Sequence, residues 1–246
     1  MTAGGEVIVR VADVHAGYTP GVDILRGLTL EARANAITLV IGPNGAGKST
    51  MLRTVFGFLT PGAGTVSFKG RDTKGLRPSD LKLAGISYVT QDINSFPHLT
   101  VEENLMMGAW VFRRDKARLA RQLERVYATF PALTVKRGDR AGSLSGGQGR
   151  MLSVAREMMT DPVLLLIDEP TVGLAPNLVE QVYEILMTAR KATGAAILLV
   201  EQNVEQALPL ADHLYLLNLG QVKAEGPGRE FDDVRVRALV RECLLG

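Results

Sequence analysis

Residues 42–50 read Gly-Pro-Asn-Gly-Ala-Gly-Lys-Ser-Thr, and this stretch constrains the fold of the chain more strongly than any other. It fits the pattern G-x-x-x-x-G-K-[S/T], in which the glycines let the backbone approach a ligand closely. An apolar run precedes it at residues 37–41, and a run compatible with a helix follows at residues 49–58. Backbone N–H groups and the dipole at a helix N-terminus attract anions. The stretch therefore predicts a phosphate-binding loop between a buried strand and a helix.

Two side chains of this loop have specific predicted roles. Lys48 supplies a positive charge for the β- and γ-phosphates of a nucleotide, and the Ser49 hydroxyl can be a ligand of Mg²⁺. The strand and helix signals on either side disfavour the alternative, an ordinary glycine-rich turn. The residues predicted to contact the nucleotide are Gly42, Pro43, Asn44, Gly45, Ala46, Gly47, Lys48, Ser49 and Thr50.

The composition limits the class of protein. The 246 residues are 46% hydrophobic and 22% charged, which allows a sizeable core, and the net charge of +2 gives no indication of a nucleic-acid-binding surface. The single cysteine excludes an intrachain disulfide and favours a reducing compartment. Because no apolar run approaches the roughly 20 residues of a membrane-spanning helix, we expect any work at a membrane to require other chains.

Apolar periodicity predicts strands and helices in alternation, as in a largely parallel sheet covered on both faces. A mostly helical stretch at about residues 92–159 interrupts this alternation and is interpreted as an inserted helical subdomain. The predicted strands are residues 6–14, 28–32, 36–41, 65–68, 86–90, 163–167, 196–200, 213–219 and 222–225. The predicted helices are residues 49–58, 100–110, 115–130, 148–159, 178–190, 204–211 and 231–245.

Two acidic residues follow the apolar run that ends at residue 167. Asp168 is predicted to hold Mg²⁺, and Glu169 to act as the general base that polarises an attacking water. The alternative is an acidic strand end facing solvent, and the phosphate-binding loop upstream makes this alternative weak. We therefore expect this strand to lie beside the phosphate-binding loop.

The segment Leu-Ser-Gly-Gly-Gln at residues 144–148 also suits phosphate, since its serine and glycines precede a predicted helix. Taken alone it could be only a helix cap, with Ser145 as the N-cap residue. Together with residues 42–50 and the acidic pair at 168–169, in that order and spacing, it makes the chain resemble an ATP-binding cassette (ABC) ATPase. The four residues of this segment assigned to nucleotide binding are Ser145, Gly146, Gly147 and Gln148.

The resemblance implies one ABC ATPase domain over residues 6–246, with ATP and Mg²⁺ as its ligands. The implied fold is α/β of the P-loop NTPase type. It has a mixed or parallel core sheet flanked by helices, an antiparallel β subdomain and an inserted α-helical subdomain. The core would comprise residues 6–91 and 160–246, and the helical subdomain residues 92–159.

The same resemblance assigns further site residues. Tyr18 matches an aromatic residue that stacks on adenine, and the alternative is a strand-end tyrosine with a solvated hydroxyl. Gln91 matches a glutamine that reaches Mg²⁺ and the water, and this assignment depends on position rather than residue type. Ser145 and Gly147 would contact the γ-phosphate bound by a partner subunit. Hydrolysis would therefore require a dimer with two ATP molecules between the subunits.

Two positions depart from the family pattern. Ala175 stands where an aspartate is usual, and Gln202 stands where a histidine is usual. A glutamine can hydrogen-bond a γ-phosphate, but it cannot carry a positive charge. We therefore expect that a fully competent dimer could require a related ATPase that supplies the histidine, and that Gln202→His would raise the turnover of a homodimer.

Short segments at residues 95–105, 173–176 and 200–203 are similar to those of the second, LivF-type ATPase of branched-chain amino acid importers. This similarity implies a second ATPase subunit (the same or related), two membrane-spanning permease subunits and a periplasmic or extracellular binding protein, but no nucleic acid. The chain would lie peripherally on the cytoplasmic face of the inner membrane. The alternatives are the ATPase of a urea or amide importer, that of a lipid or polysaccharide exporter, and a soluble ABC ATPase without a transport role.

Overall fold

The structure of this chain, a computed structural model, describes residues 5–245 except for the side chains of residues 176, 177, 244 and 245. Gly246, the last residue of the predicted domain, lies outside the described residues. The strands form two sheets. In chain order the strands are β1 (Val7–Ala16), β2 (Leu25–Arg33), β3 (Ile37–Ile41), β4 (Ala63–Phe68), β5 (Arg71–Asp72), β6 (Ile86–Val89), β7 (Leu164–Asp168), β8 (Ala196–Val200), β9 (His213–Asn218) and β10 (Gln221–Pro227).

Helices connect most of these strands. Several begin at a proline or at a polar side chain that caps the first turn. In chain order the α-helices are α1 (Lys48–Val55), α2 (Pro78–Ala84), α3 (Val101–Gly108), α4 (Lys116–Thr129), α5 (Pro131–Val135), α6 (Gly146–Met158), α7 (Pro176–Thr193), α8 (Val204–Ala207) and α9 (Asp233–Leu245).

The larger sheet has six strands in the order β10-β9-β3-β8-β7-β6. All its neighbours are parallel except β10 and β9, which are antiparallel. Strands β3, β7 and β8 are buried along their whole length, which explains why their sequences are apolar except for Thr38 and the final Asp168, rather than alternating. Because these three strands are parallel, the residues that follow them meet at one edge of the sheet. The candidate site lies at this edge.

Apolar clusters cover both faces of the six-stranded sheet. On one face Val40 and Leu166 pack in a cluster with residues of the four-stranded antiparallel sheet, whose order is β2-β1-β4-β5, and with α1 and α2. On the other face Leu39 and Ile167 join a cluster that includes residues of α3–α7, such as Leu152. The helices over residues 101–158 thus share their apolar core with the central sheet, and the boundaries predicted for a separate helical subdomain remain a prediction.

Strand β7 ends beside the phosphate-binding loop as expected, since Asp168 contacts Ser49, although β8 lies between β7 and β3 in the sheet. The structure differs from the sequence-based expectations elsewhere. Pro131, expected only to end a helix, also begins α5, because a proline at the first helical position lacks only an N–H that would have no partner there. The predicted helix at 204–211 is α8 followed by a 3₁₀ turn at Leu208–Leu210.

Helix α2, over Pro78–Ala84, was not expected from the sequence. Its signals are a proline at the first turn and Asp80, whose carboxylate accepts a hydrogen bond from the backbone N–H of Arg77 at 3.1 Å. No helix within residues 5–245 has the length and apolar character that crossing a bilayer requires.

Candidate active site

The loop over residues 42–47 connects the end of β3 to the start of α1, as the sequence predicts. Two of its glycines are required by close contacts. A Cβ on Gly42 would lie 2.2 Å from the carbonyl oxygen of Leu217, and Gly47 has a φ of 101° with only 3.0 Å between such a Cβ and Leu25 Cδ2. The loop borders a cavity of about 340 Å³, which we call the loop cavity. It is lined by Ile24, Asn44, Gly45, Ala46, Gly47, Lys48, Ser49, Thr50, Glu169 and Gln202.

Lys48 is the first residue of α1, and its side chain is buried with 4% of its surface exposed. Its ammonium donates hydrogen bonds to the carbonyl oxygens of Gly42 at 2.9 Å and Pro43 at 3.2 Å. It also lies 3.3 Å from Glu169 Oε1. The charge of Lys48 is thus held at the cavity wall by the loop backbone and by one carboxylate.

Ser49 and Asp168 meet although they are far apart in the sequence. The Ser49 hydroxyl donates a hydrogen bond to Asp168 Oδ1 at 3.0 Å, and the Tyr88 hydroxyl donates to Oδ2 at 2.8 Å. Burial raises the pKa of Asp168, and these two hydrogen bonds oppose the rise. Sequence reasoning did not identify Tyr88, because an aromatic residue inside a buried strand has no local signal for a role at a site.

Glu169 follows β7 with a φ of 41°, a left-handed conformation that is strained for a residue with a side chain. Its backbone N–H donates to the carbonyl oxygen of Val200 at 2.9 Å, which extends the pairing between β7 and β8. Its Oε2 accepts a hydrogen bond from the Gln202 side-chain amide at 2.7 Å. The two residues are 33 positions apart, and both line the loop cavity.

Glu201 follows β8 and is fully buried. Its carboxylate accepts hydrogen bonds from the Thr171 hydroxyl at 2.7 Å and from the backbone N–H groups of Gln202 at 2.8 Å and Asn203 at 3.1 Å. Sequence reasoning missed Glu201, although a glutamate directly after an apolar strand was a possible signal.

The structure does not bring Gln91 into the loop cavity. Its side chain is exposed, and within the described residues the cavity lining does not include it. Its carbonyl oxygen accepts a hydrogen bond from the guanidinium of Arg150 at 2.6 Å, and the carbonyl oxygen of Thr90 accepts another at 3.0 Å. Arg150 lies on α6 and is buried, and burial lowers its pKa from the ordinary arginine value. The backbone at residues 90–91 is therefore attached to α6.

Tyr18 lies beside α1, the helix that follows the phosphate-binding loop. Its hydroxyl accepts a hydrogen bond from the Arg53 guanidinium at 3.0 Å, and its side chain is half exposed. Over residues 5–245 the lining of the loop cavity does not include Tyr18. The Arg53 guanidinium lies 5.8 Å from the centroid of the Tyr18 ring, and the predicted stacking of this ring on adenine remains a prediction.

Residues 145–148 form the N-terminus of α6. Ser145 is the N-cap residue, with its hydroxyl accepting from the backbone N–H of Gln148, and the Gln148 side chain accepts in return from the Ser145 backbone N–H at 3.1 Å. Ser145 and Gly146 are exposed, and the described residues around the loop cavity include none of the four. Within one chain, this segment and the phosphate-binding loop are therefore separate surfaces.

The chain is similar to proteins of one family. The family profile described as ABC transporter matches residues 25–172. The high-affinity branched-chain amino acid transport ATP-binding protein BraG of Pseudomonas aeruginosa is 39% identical over 229 residues, which cover 93% of this chain and 96% of BraG. The thiamine import ATP-binding protein ThiQ of Brucella suis is 33% identical over 234 residues, covering 94% of this chain and 92% of ThiQ. The relatives therefore differ in the compound that their names state.

Solved structures of ABC transporter cassettes are also similar to this chain. An ATP-binding cassette of an ABC transporter in its ADP conformation has a TM-score of 0.84 and 29% identity, covering 98% of this chain and 99% of that chain. A nucleotide-free cassette from an ABC transporter has a TM-score of 0.82 and 28% identity, covering 98% and 100%. The chain therefore belongs to the ABC transporter family, as one of its ATP-binding, ATP-hydrolysing cassettes.

Proposed function

We propose that this chain is the ATPase subunit that energises a membrane importer of branched-chain amino acids. The observation that carries this proposal is the 39% identity to BraG over almost the whole of both chains. The probable branched-chain amino acid transport ATP-binding protein LivF of Archaeoglobus fulgidus supports it, with 37% identity over 91% of this chain. The identity to the thiamine import protein is lower, at 33%, so branched-chain amino acids are the preferred substrate class.

In the proposed mechanism the nucleotide phosphates occupy the loop cavity and compete with Glu169 for Lys48. The Lys48 ammonium is shared between two loop carbonyls and the Glu169 carboxylate. A γ-phosphate carries more negative charge than one carboxylate, so the ammonium turns to it. Glu169 is then released from its ion pair and can accept a proton from the attacking water.

The oxygen ligands beside Lys48 fit Mg²⁺. The Ser49 hydroxyl and the Asp168 carboxylate lie 3.0 Å apart, and hard cations prefer such oxygen ligands. Mg²⁺ usually completes its coordination with phosphate oxygens and water, and no cluster of three or more metal-binding side chains occurs within the described residues. Mg²⁺ bound with ATP would neutralise charge on the phosphates. Tyr88 keeps Asp168 oriented toward Ser49.

Gln202 orients the general base. Its amide donates to one oxygen of Glu169 and leaves the other oxygen to Lys48. When Lys48 moves to the phosphate, this second oxygen is the one available to the water. Because Gln202 is uncharged, it contributes orientation but no positive charge to the transition state.

The exposed segment at 145–148 and the loop cavity lie on separate surfaces, so the segment is available to a second ATPase subunit. We propose a dimer, of identical or related chains, in which Ser145 and Gly147 of each subunit cover the ATP of the other. The exposed Met106 and the residues after Gln91 would contact two permease subunits at the cytoplasmic face of the inner membrane. A periplasmic or extracellular binding protein would deliver the substrate.

Uptake measurements in the source organism test the importer proposal. Deleting the gene should abolish high-affinity uptake of radiolabelled leucine, isoleucine and valine. Wild-type protein should restore the uptake, and Glu169→Gln, which keeps the shape of the side chain but removes the base, should not. Uptake of labelled thiamine and urea in the same strains provides the comparison.

Unchanged uptake of all three amino acids, with loss of thiamine or urea uptake, would contradict the substrate while leaving the ATPase role intact. Affinity purification from detergent-solubilised membranes tests the partners. We expect two multispanning proteins and an ATPase subunit, and recovery of ribosomes or DNA without membrane proteins would overturn the transport role.

A further inference from the structure

Glu201 is the one fully buried acidic residue among the described residues, and neither ATP binding nor base catalysis requires it. Both of its carboxylate oxygens are used. Oε1 accepts from the Thr171 hydroxyl at 2.7 Å, and Oε2 accepts from the backbone N–H groups of Gln202 at 2.8 Å and Asn203 at 3.1 Å. A carboxylate that accepts several hydrogen bonds holds its donors more firmly than a neutral group.

These hydrogen bonds join the segment that follows β7 to the segment that follows β8, and both segments begin at the same edge of the sheet. Thr171 lies two residues after Glu169, and Gln202 follows Glu201 directly. Glu201 therefore fixes the backbone of the residue that contacts the base, and it also fixes the segment that carries the base. The contact between Gln202 Nε2 and Glu169 Oε2 depends on the relative position of these two segments.

Other groups around Glu201 are suited to its negative charge. The negative charge of Glu201 attracts the positive charge of the buried Arg150 guanidinium. The Arg150 Nε is buried without a hydrogen-bond partner among the described residues. The Tyr183 hydroxyl is also buried and unpartnered within the described part of the chain. Burial, followed by the charge of Glu201, raises the pKa of Tyr183, which indicates a shared low-dielectric environment.

We infer that Glu201 is a positioning residue that sets the geometry between Gln202 and Glu169 by tying the segment after β8 to Thr171. This inference rests on the proposed roles of Glu169 and Gln202. Glutamine at position 201 would keep one acceptor oxygen, but its NH₂ group cannot accept from the Thr171 hydroxyl, and it would carry no negative charge. Glu201→Gln therefore keeps the volume of the side chain and weakens the hydrogen bonds that hold the two segments together.

Steady-state ATP hydrolysis by the purified full-length chain tests the inference. We expect Glu201→Gln to lower kcat about tenfold and to change the KM for ATP less than about twofold, because misplacing a catalytic group slows the reaction more than it weakens binding. Thr171→Val should lower kcat in the same direction, whereas Thr171→Ser, which keeps the hydroxyl, should not. Glu157→Gln is the matched control, since it neutralises a buried carboxylate that pairs with Lys82 outside the loop cavity.

A double-mutant cycle separates positioning from general destabilisation. If Glu201 acts through Gln202, then Glu201→Gln should change kcat less than about twofold in a Gln202→Ala background. An equal loss of kcat in both backgrounds would overturn the inference, as would an unchanged kcat in Glu201→Gln. If Glu201→Gln does not fold, the same cycle is run with Thr171→Val.

Gln202→Ala with unchanged kcat would also overturn the inference, because it removes the contact through which Glu201 acts. That result would leave the importer proposal standing, since amino acid uptake decides it independently.

Discussion

Replacing Glu169 with glutamine should destabilise the nucleotide-free protein. The substitution removes the carboxylate that lies 3.3 Å from the buried Lys48 ammonium. Breaking a buried ion pair by removing one partner typically costs about 3–5 kcal/mol, because the other charge stays buried. Lys48 keeps its hydrogen bonds to two loop carbonyls at 2.9 and 3.2 Å, so we expect the low end of that range, about 3 kcal/mol.

Nucleotide should reverse this loss. The phosphates supply Lys48 with an anion whether residue 169 is charged or neutral, so the two proteins should have similar stability when saturated with nucleotide. By linkage, the variant should then gain about 3 kcal/mol more than the wild type on binding, which corresponds to roughly 100-fold tighter affinity. Urea unfolding followed by circular dichroism, with and without Mg²⁺ and the non-hydrolysable analogue AMP-PNP, measures the stabilities. Isothermal titration calorimetry measures the affinity.

Glu157→Gln is the control for this experiment. It breaks a second buried pair, in which Glu157 Oε2 lies 2.7 Å from the Lys82 ammonium. Residue 157 does not line the loop cavity, so this variant should be destabilised equally with and without AMP-PNP. If the free energy of unfolding of Glu169→Gln is also lowered equally with and without AMP-PNP, the competition between phosphate and Glu169 for Lys48 is refuted.

Four further predictions concern candidate site residues and the buried Arg150. Gln202→His should raise steady-state phosphate release by a homodimer, because histidine can carry a positive charge. Asp168→Asn should abolish hydrolysis. The free energy of unfolding of this variant, relative to that of the wild type, should increase as the pH rises above 3.8, the unperturbed pKa of Asp168. Arg150→Met should lower the free energy of unfolding by about 2–4 kcal/mol, since the carbonyls of Thr90 and Gln91 lose their part-buried hydrogen bonds from a charged donor. Tyr18→Ala should weaken ATP binding about tenfold, and Tyr18→Phe should not, if the ring stacks on adenine.

The sign of the Asp168 prediction follows from proton binding. Burial raises the pKa of the folded carboxyl, so above pH 3.8 the folded state binds more protons than the unfolded state. The contribution of Asp168 to stability therefore falls as pH rises through this window, and asparagine removes that fall. A constant difference between the two proteins in urea unfolding at pH 3.8 and pH 7.5 would contradict it.

Each remaining prediction has its own contrary result. Unchanged turnover in Gln202→His would count against the need for a charge at that position. Arg150→Met with wild-type stability would show that the carbonyls find other donors. Equal nucleotide affinity in Tyr18→Ala and the wild type, from titration with a fluorescent ATP analogue, would remove Tyr18 from the site.

Local sequence determined the elements and the chemistry that each can carry. The mainly apolar runs became the buried strands β3, β7 and β8, because parallel strands covered on both faces favour apolar side chains at consecutive positions. Glycines at 42 and 47 and the lysine at 48 became a loop and a helix start, because their conformational and charge properties act over a few residues. The family could be identified from such local motifs, and the comparisons confirm it.

Tertiary structure decided which of these elements meet. Only the sheet order shows that β8 separates β3 from β7, and only the shared edge brings Ser49 to Asp168 across 119 positions. The roles of Tyr88 and Glu201 depend on contacts with residues distant in the chain, which periodicity does not record. Lys48 and Glu169 show the division most clearly. Their residue types predicted a phosphate ligand and a base, whereas their ion pair exists because the ends of two parallel strands converge in a buried, low-dielectric space.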